Sequence, residues 1–198
     1  MTQPPMTHLS MTHSTLRSLL FGLMLALSLG VACAQKVRLA TSEGDIVLQL
    51  DAAKAPKTVD NFVRYVKAGH YNGTVFHRVI DNFMIQGGGY GTDLREKPVR
   101  PPIPLEARNG LSNVRGTVAM ARTAVPDSAT AQFYINAGDN PFLDAANSRD
   151  GNGYAVFGQV VEGMDVVDRI KSVPTAAKGE HGNMPLAPIM IRKATLEN

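Results

Sequence analysis

A chain of 198 residues with 44% hydrophobic and 19% charged residues has the composition of one ordinary globular domain, which excludes the disordered and fibrous classes. A formal net charge of +3 is too small to point to a nucleic-acid surface, and no run of residues is long and apolar enough for a permanent membrane span of about 20 residues. With 18 Gly and 12 Pro, the chain favours many turns over long helices.

Residues 1–34 have the features of a secretory signal peptide. They hold no Asp or Glu and one basic residue, Arg17; an apolar run from Leu19 to Leu29 follows, then Ala32-Cys33-Ala34 ahead of Gln35. A buried helix fits this stretch less well, because Gly22, Ser28 and Gly30 punctuate it and nothing amphipathic surrounds it. Cleavage after Ala34 is the expectation. Lipid attachment at Cys33 is the alternative, against which Gly30 stands three positions before the cysteine, and Met6 and Met11 are alternative starts. Loss of residues 1–34 leaves 19 basic against 17 acidic residues and removes the only cysteine. Residues 35–198 then carry no disulfide, thiol nucleophile or thiolate ligand.

The first folded element reads as a β-hairpin. Val37, Leu39 and Thr41 alternate with Lys36, Arg38 and Ala40, Ile46, Leu48 and Leu50 repeat the pattern, and Ser42-Glu43-Gly44 turns between them. A helix follows. Pro56 suits its first turn, Val59, Phe62, Val63 and Val66 fall on one stripe, and Gly69 is placed to end it. From Thr74 to Gln159 the pattern predicts short strands at Val75–Ile80, Phe83–Gln86, Thr117–Met120, Gln132–Asn136 and Tyr154–Val160. A long Gly- and Pro-rich loop is expected from Gly87 to Asn113, with Gly87 to Gly91 as tight bends. A second helix is expected at Gly163–Lys171, stopped by Pro174, and a last strand at Ile189–Leu196. Many short strands with two helices predict a mainly β, closed or nearly closed antiparallel barrel with helical caps.

Common catalytic signatures are missing from the sequence: there is no G-x-S-x-G, no H-E-x-x-H and no Walker loop. His70, His77 and His181 lack metal-ligand spacing, and His77, on a strand between Phe76 and Arg78, is expected to be a hydrogen-bonded structural residue.

One stretch is more specific. Phe76-His77-Arg78-Val79-Ile80-Asp81-Asn82-Phe83-Met84-Ile85-Gln86-Gly87-Gly88 resembles the signature of the cyclophilins, a family of peptidyl-prolyl isomerases. Gly116 to Arg122, Ser128 to Ile135 and Tyr154 to Gly158 continue the resemblance in family order, over about residues 36–196, and the Met-Ala-Arg-Thr block with the leader looks most like bacterial periplasmic members. The resemblance implies a closed eight-stranded antiparallel β-barrel capped by two α-helices, a periplasmic location after removal of 1–34, and an isomerase domain over 35–198. It also implies proline-containing unfolded or extended polypeptides as partners, no nucleic acid, no cofactor, no metal and a monomer. By the same match Arg78 is the catalytic arginine, with Phe83 and Gln86 beside it. Met84 joins Phe83 in the proline pocket, and Ala121 and Arg122 contact the substrate backbone. Gln132, Tyr134, Phe142, Leu143 and Tyr154 take the remaining cleft positions.

Such residues suit the chemistry. Amide resonance opposes rotation by about 18–20 kcal/mol, and X-Pro bonds populate both isomers but interconvert slowly. A guanidinium donating to the prolyl nitrogen stabilises the twisted bond, in which the nitrogen lone pair is localised. Phe142, Tyr134 and Tyr154 stand where many members carry Trp, Phe and His, so the pocket stays aromatic while an indole donor is lost; weaker binding of cyclosporin-type inhibitors is the expectation. The alternative function is a holdase that grips proline-containing segments with incidental isomerase activity. A hydrolase lacks support, since Ser128 has no evident histidine partner.

Overall fold

A computed structural model describes residues 35–197. The expected signal peptide, with Cys33, lies outside the described residues. The hairpin forms from β1 (Lys36–Thr41) and β2 (Gly44–Leu50), in register Val37 to Leu48 and Leu39 to Ile46. Its alternation has the predicted consequence: Val37, Leu39, Ile46 and Leu48 are fully buried, while Arg38 on the other face pairs with Asp45 and Glu197.

Helix α1 (Pro56–Lys67) starts at its proline and buries Val59, Phe62, Val63 and Val66. Its N-cap, Ala55, offers no side-chain acceptor. Glu106, 48 residues away from Thr58, supplies one instead: its carboxylate accepts from the Thr58 backbone N–H at 2.8 Å, the Thr58 hydroxyl at 2.7 Å and the Lys57 N–H at 3.2 Å. The exposed amides of the first turn and the positive end of the helix dipole both favour a carboxylate there.

The remaining elements are β3 (Thr74–Ile80), β4 (Met84–Gly91), β5 (Thr117–Met120), β6 (Phe133–Asn136), a short 3-10 turn (Pro141–Leu143) and β7 (Val156–Glu162). Helix α2 (Met164–Lys171), β8 (Thr175–Lys178), β9 (His181–Pro185) and β10 (Met190–Glu197) complete the chain. Eight strands close into an antiparallel barrel in the order β1-β10-β3-β4-β6-β5-β7-β2, while β8 and β9 form a separate hairpin. Closure leaves no barrel edge unpaired. The barrel core joins inward residues of every wall strand to one face of α1 and to Val166, Val167 and Ile170 of α2.

Two expectations change. The run Gly87 to Gly91 is not a set of bends: it continues β4, and the loop begins after Gly91. Glycine is needed there for close approach within the sheet. A Cβ on Gly88, whose φ is +88°, would lie 2.8 Å from the Tyr71 ring, and one on Gly89 would lie 2.7 Å from the Gln132 side chain. The β8–β9 hairpin was not foreseen, because Thr175–Lys178 and His181–Pro185 lack the alternation of a half-buried strand.

Candidate active site

Period-two alternation places the barrel core and the site on opposite faces of the same strands. On β4, Ile85 points into the core while Met84 and Gln86 point out. On β6, Phe133 and Ile135 point in and Tyr134 out; on β5, Val118 and Met120 point in and Ala119 out. Strand register then aligns the outward residues. Arg78 pairs with Gln86, Gln86 with Tyr134, Tyr134 with Ala119 and Ala119 with Val156, a continuous row across four strand boundaries. Met84, Ala119, Tyr134 and Val156 form a second, smaller apolar cluster outside the barrel, onto which Phe83, Ala121, Leu143 and Tyr154 pack.

Above this cluster lies a cavity of about 180 Å³. Arg78, Phe83, Met84, Gln86 and Ala121 line it together with Arg122, Tyr134, Leu143 and Tyr154. Two further predicted residues sit just beyond its walls. Gln132 accepts from the Gln86 amide at 3.0 Å, and Phe142, 54% exposed, stacks on Phe83 with ring centroids 5.7 Å apart.

Arg78 is half-buried on the outward face of β3. It donates to Gln86 Oε1 at 3.3 Å, and its guanidinium carbon lies 5.7 Å from the centre of the Phe83 ring. The relay Gln132–Gln86–Arg78 orients the guanidinium, and among the described residues no carboxylate pairs with it. Most of its donor fork is therefore available to a ligand in the cavity.

The family scan identifies residues 36–196 with the model described as cyclophilin type peptidyl-prolyl cis-trans isomerase. The chain belongs to the cyclophilins. It shares their catalytic activity, the cis/trans isomerisation of peptidyl-prolyl bonds. A peptidyl-prolyl cis-trans isomerase of Acinetobacter baylyi is 57% identical over 155 residues, covering 78% of this chain and 81% of the relative. Peptidyl-prolyl cis-trans isomerase B of Escherichia coli is 52% identical, covering 79% and 96%. Among solved structures, a cyclophilin type isomerase of Cryptosporidium parvum superposes with a TM-score of 0.69 at 25% identity, covering 83% of this chain and 98% of that one.

Sequence reasoning missed the polar layer beneath the cyclophilin cleft. The Tyr134 hydroxyl donates to Asn113 Oδ1 at 2.8 Å, and Asn113, fully buried, donates through its own amide to Asp144 Oδ1 at 2.9 Å. Ser112 also donates to Asp144, and Asn136 ties Asn113 to Asn140, whose amide reaches the Phe83 carbonyl at 2.8 Å. The hydroxyl that distinguishes Tyr134 from phenylalanine is thus satisfied below the cavity rather than inside it. Burial pushes that phenol well above its usual range, so it remains a donor. Burial also opposes ionisation of Asp144, but the hydrogen bonds from Ser112 and Asn113 outweigh it and hold the carboxyl below its usual range. Single Asn and Asp residues in loops carry no periodic signal that could have revealed this layer.

His77 is buried, and a backbone hydrogen bond with Val75 fits its expected structural role, but its Nδ1 has no hydrogen-bond partner among the described residues. Tyr90 meets the ring edge-on with centroids 4.7 Å apart, and His181 of β9 does so at 5.7 Å. Burial first, and His181 second, lower its pKa to about 4. The unfolded chain binds this proton more tightly than the native one. Stability from this site is therefore complete above pH ~6.5 and is lost as the pH falls through the window down to ~4, on the order of 3 kcal/mol in all. Urea midpoints measured at pH 7 and pH 4.5 should show this fall, and His77→Gln should flatten it; equal slopes in both proteins would assign the acid sensitivity elsewhere.

Proposed function

We propose that this cyclophilin accelerates X-Pro rotation in exported polypeptides as they fold, with Arg78 stabilising the twisted bond. The observation that carries the reading is the uncommitted face of the Arg78 guanidinium beside an apolar, proline-sized cavity. The ring enters between Phe83, Met84, Tyr134 and Leu143, while Ala121 lines the path of the preceding residue. As the carbonyl swings out of conjugation, the prolyl nitrogen becomes pyramidal and accepts from Arg78. Apolar walls exclude water and strengthen that hydrogen bond. Gln86 keeps the fork aimed. No covalent intermediate and no cofactor enter the scheme, and a near-balance of charge over 35–198 leaves nucleic acid without a role.

Isomerisation of a short X-Pro peptide, followed with wild type and Arg78→Ala, tests the mechanism. A folded wild type without acceleration would leave only the proline-binding holdase, which would still protect an unfolded proline-containing client from aggregation.

Export rests on the leader-like residues 1–34, which include the Leu19–Leu29 run and Ala32-Cys33-Ala34. N-terminal sequencing of protein recovered from the periplasm of an expressing bacterium should begin at Gln35. A retained leader, or a lipid-modified Cys33, would overturn that assignment.

A further inference from the structure

Two arginines line the cavity, and they are in opposite states. Arg78 has most of its donors free, whereas the Arg122 side chain is 2% exposed and each of its three nitrogens donates to a protein acceptor. Its Nε donates to the Gly153 carbonyl at 2.8 Å, its Nη1 to the Thr123 carbonyl at 2.9 Å and its Nη2 to Asp150 Oδ2 at 2.5 Å. The plane of the guanidinium is thereby set, and its carbon lies 4.6 Å from the centre of the Tyr154 ring. Tyr154 in turn meets Tyr134 edge-on at 5.9 Å, and its N–H donates to the Leu143 carbonyl at 3.0 Å. Arg122, Tyr134 and Leu143 therefore converge on Tyr154, which the one guanidinium covers.

Asp150 lies outside the cavity and organises this arrangement from behind. Its Oδ1 accepts from the Asn152 N–H at 3.0 Å and the Ser148 hydroxyl at 3.1 Å, while Oδ2 takes Arg122. The first pair of bonds folds the 148–153 loop, and the second fixes the arginine that the same loop holds through Gly153. The Asn152 N–H, followed by Arg122, draws the Asp150 carboxyl well below the usual carboxylate range, so the clamp stays charged at working pH. Three of the five guanidinium N–H groups of Arg122 are thus committed to protein acceptors.

We infer that Asp150 is a positioning residue for the isomerase cleft: by holding Arg122 against Tyr154 it sets the tyrosine that lines the cavity beside Tyr134 and Leu143. Arg122 is then a platform for Tyr154, and Arg78, with most of its donors free, is the arginine that engages the prolyl nitrogen. The inference rests on the cleft assignment made above, and its test separates the two. Asp150→Asn keeps the size of the side chain and removes its charge. The variant should raise KM for an X-Pro peptide about tenfold, the scale of a cation–π contact shielded from water, with kcat within about twofold of wild type. Its Tyr154 ring resonances, assigned by two-dimensional aromatic NMR, should move as the guanidinium leaves the ring. Arg122→Lys keeps the charge but not the three-way fork, and should reproduce both changes should Asp150→Asn not fold. Unchanged KM together with unmoved Tyr154 resonances overturns the inference, whatever happens to the melting temperature. Moved resonances in a protein whose wild type shows no acceleration would uphold the positioning role and overturn the cleft assignment instead.

Discussion

Replacing Arg78 by alanine is expected to lower kcat/KM on a short X-Pro peptide by about 10²–10³-fold, the usual cost of removing one preorganised donor from a charge-stabilising site. The loss should fall mainly on kcat. The hydrogen bond to the prolyl nitrogen exists only once resonance is broken, so it stabilises the transition state more than the bound peptide. The barrel should survive the change. Arg78 lies on the outward face of β3, its one side-chain hydrogen bond is to Gln86, and the core residues Phe76 and Val79 are untouched. Circular dichroism should therefore overlay on wild type, and urea midpoints should shift little. Arg78→Lys should recover only part of the rate, because a lysine keeps the charge but loses the planar fork that Gln86 orients. A folded Arg78→Ala protein within about twofold of the wild-type rate would refute the arginine mechanism and place the catalysis in the apolar walls alone.

Phe62→Ala is expected to have the largest effect on stability, about 3–5 kcal/mol. Phe62 is fully buried and carries α1 into the barrel core. Its ring centre lies 5.0 Å from that of Tyr71, 5.1 Å from Phe157 and 5.4 Å, edge-on, from Phe133. Truncation removes both the buried area and three aromatic contacts, and β-strand walls cannot collapse to fill the space. Urea unfolding at pH 7 measures the loss. Below the unfolding transition the variant should still isomerise X-Pro peptides, with a modest rise in KM, because Phe133 is the inward neighbour of the cleft residue Tyr134. A shift smaller than about 1 kcal/mol would mean that α1 repacks over the barrel without its central aromatic anchor.

Much of the protein was legible from the sequence because the relevant signals are local. Alternation in Val37–Thr41 and Gly44–Leu50 marks a strand whichever partner it finds, and the Val59-Phe62-Val63-Val66 stripe marks a helix face before its target is known. The ordered blocks from Phe76 to Gly158 carried the family and, with it, Arg78. The residues read from those blocks meet around one cavity, with Gln132 and Phe142 at its margin.

Other features depend on side chains far apart in the chain, and no periodicity encodes them. Glu106 caps α1 from 48 residues away from Thr58, Asn113 receives the Tyr134 hydroxyl from 21 away, and Asp150 clamps Arg122 from 28 away. A polar side chain in a loop has the same sequence signature whether it meets water or a buried partner, so its role appears only when the strands around it close. The triglycine run shows the same limit. Glycines are turn residues by default, and only the close packing of Tyr71, Phe133 and Gln132 makes them strand residues here. The sequence by itself determined the faces of the first hairpin and the helix stripes, since each follows from the geometry of a few consecutive residues, whereas an irregularity between Phe76 and Arg78 turns the arginine outward on β3. Tertiary structure decided the order of barrel closure, the buried polar layer and which of two cleft arginines remains free, since those follow from contacts that chain proximity cannot supply.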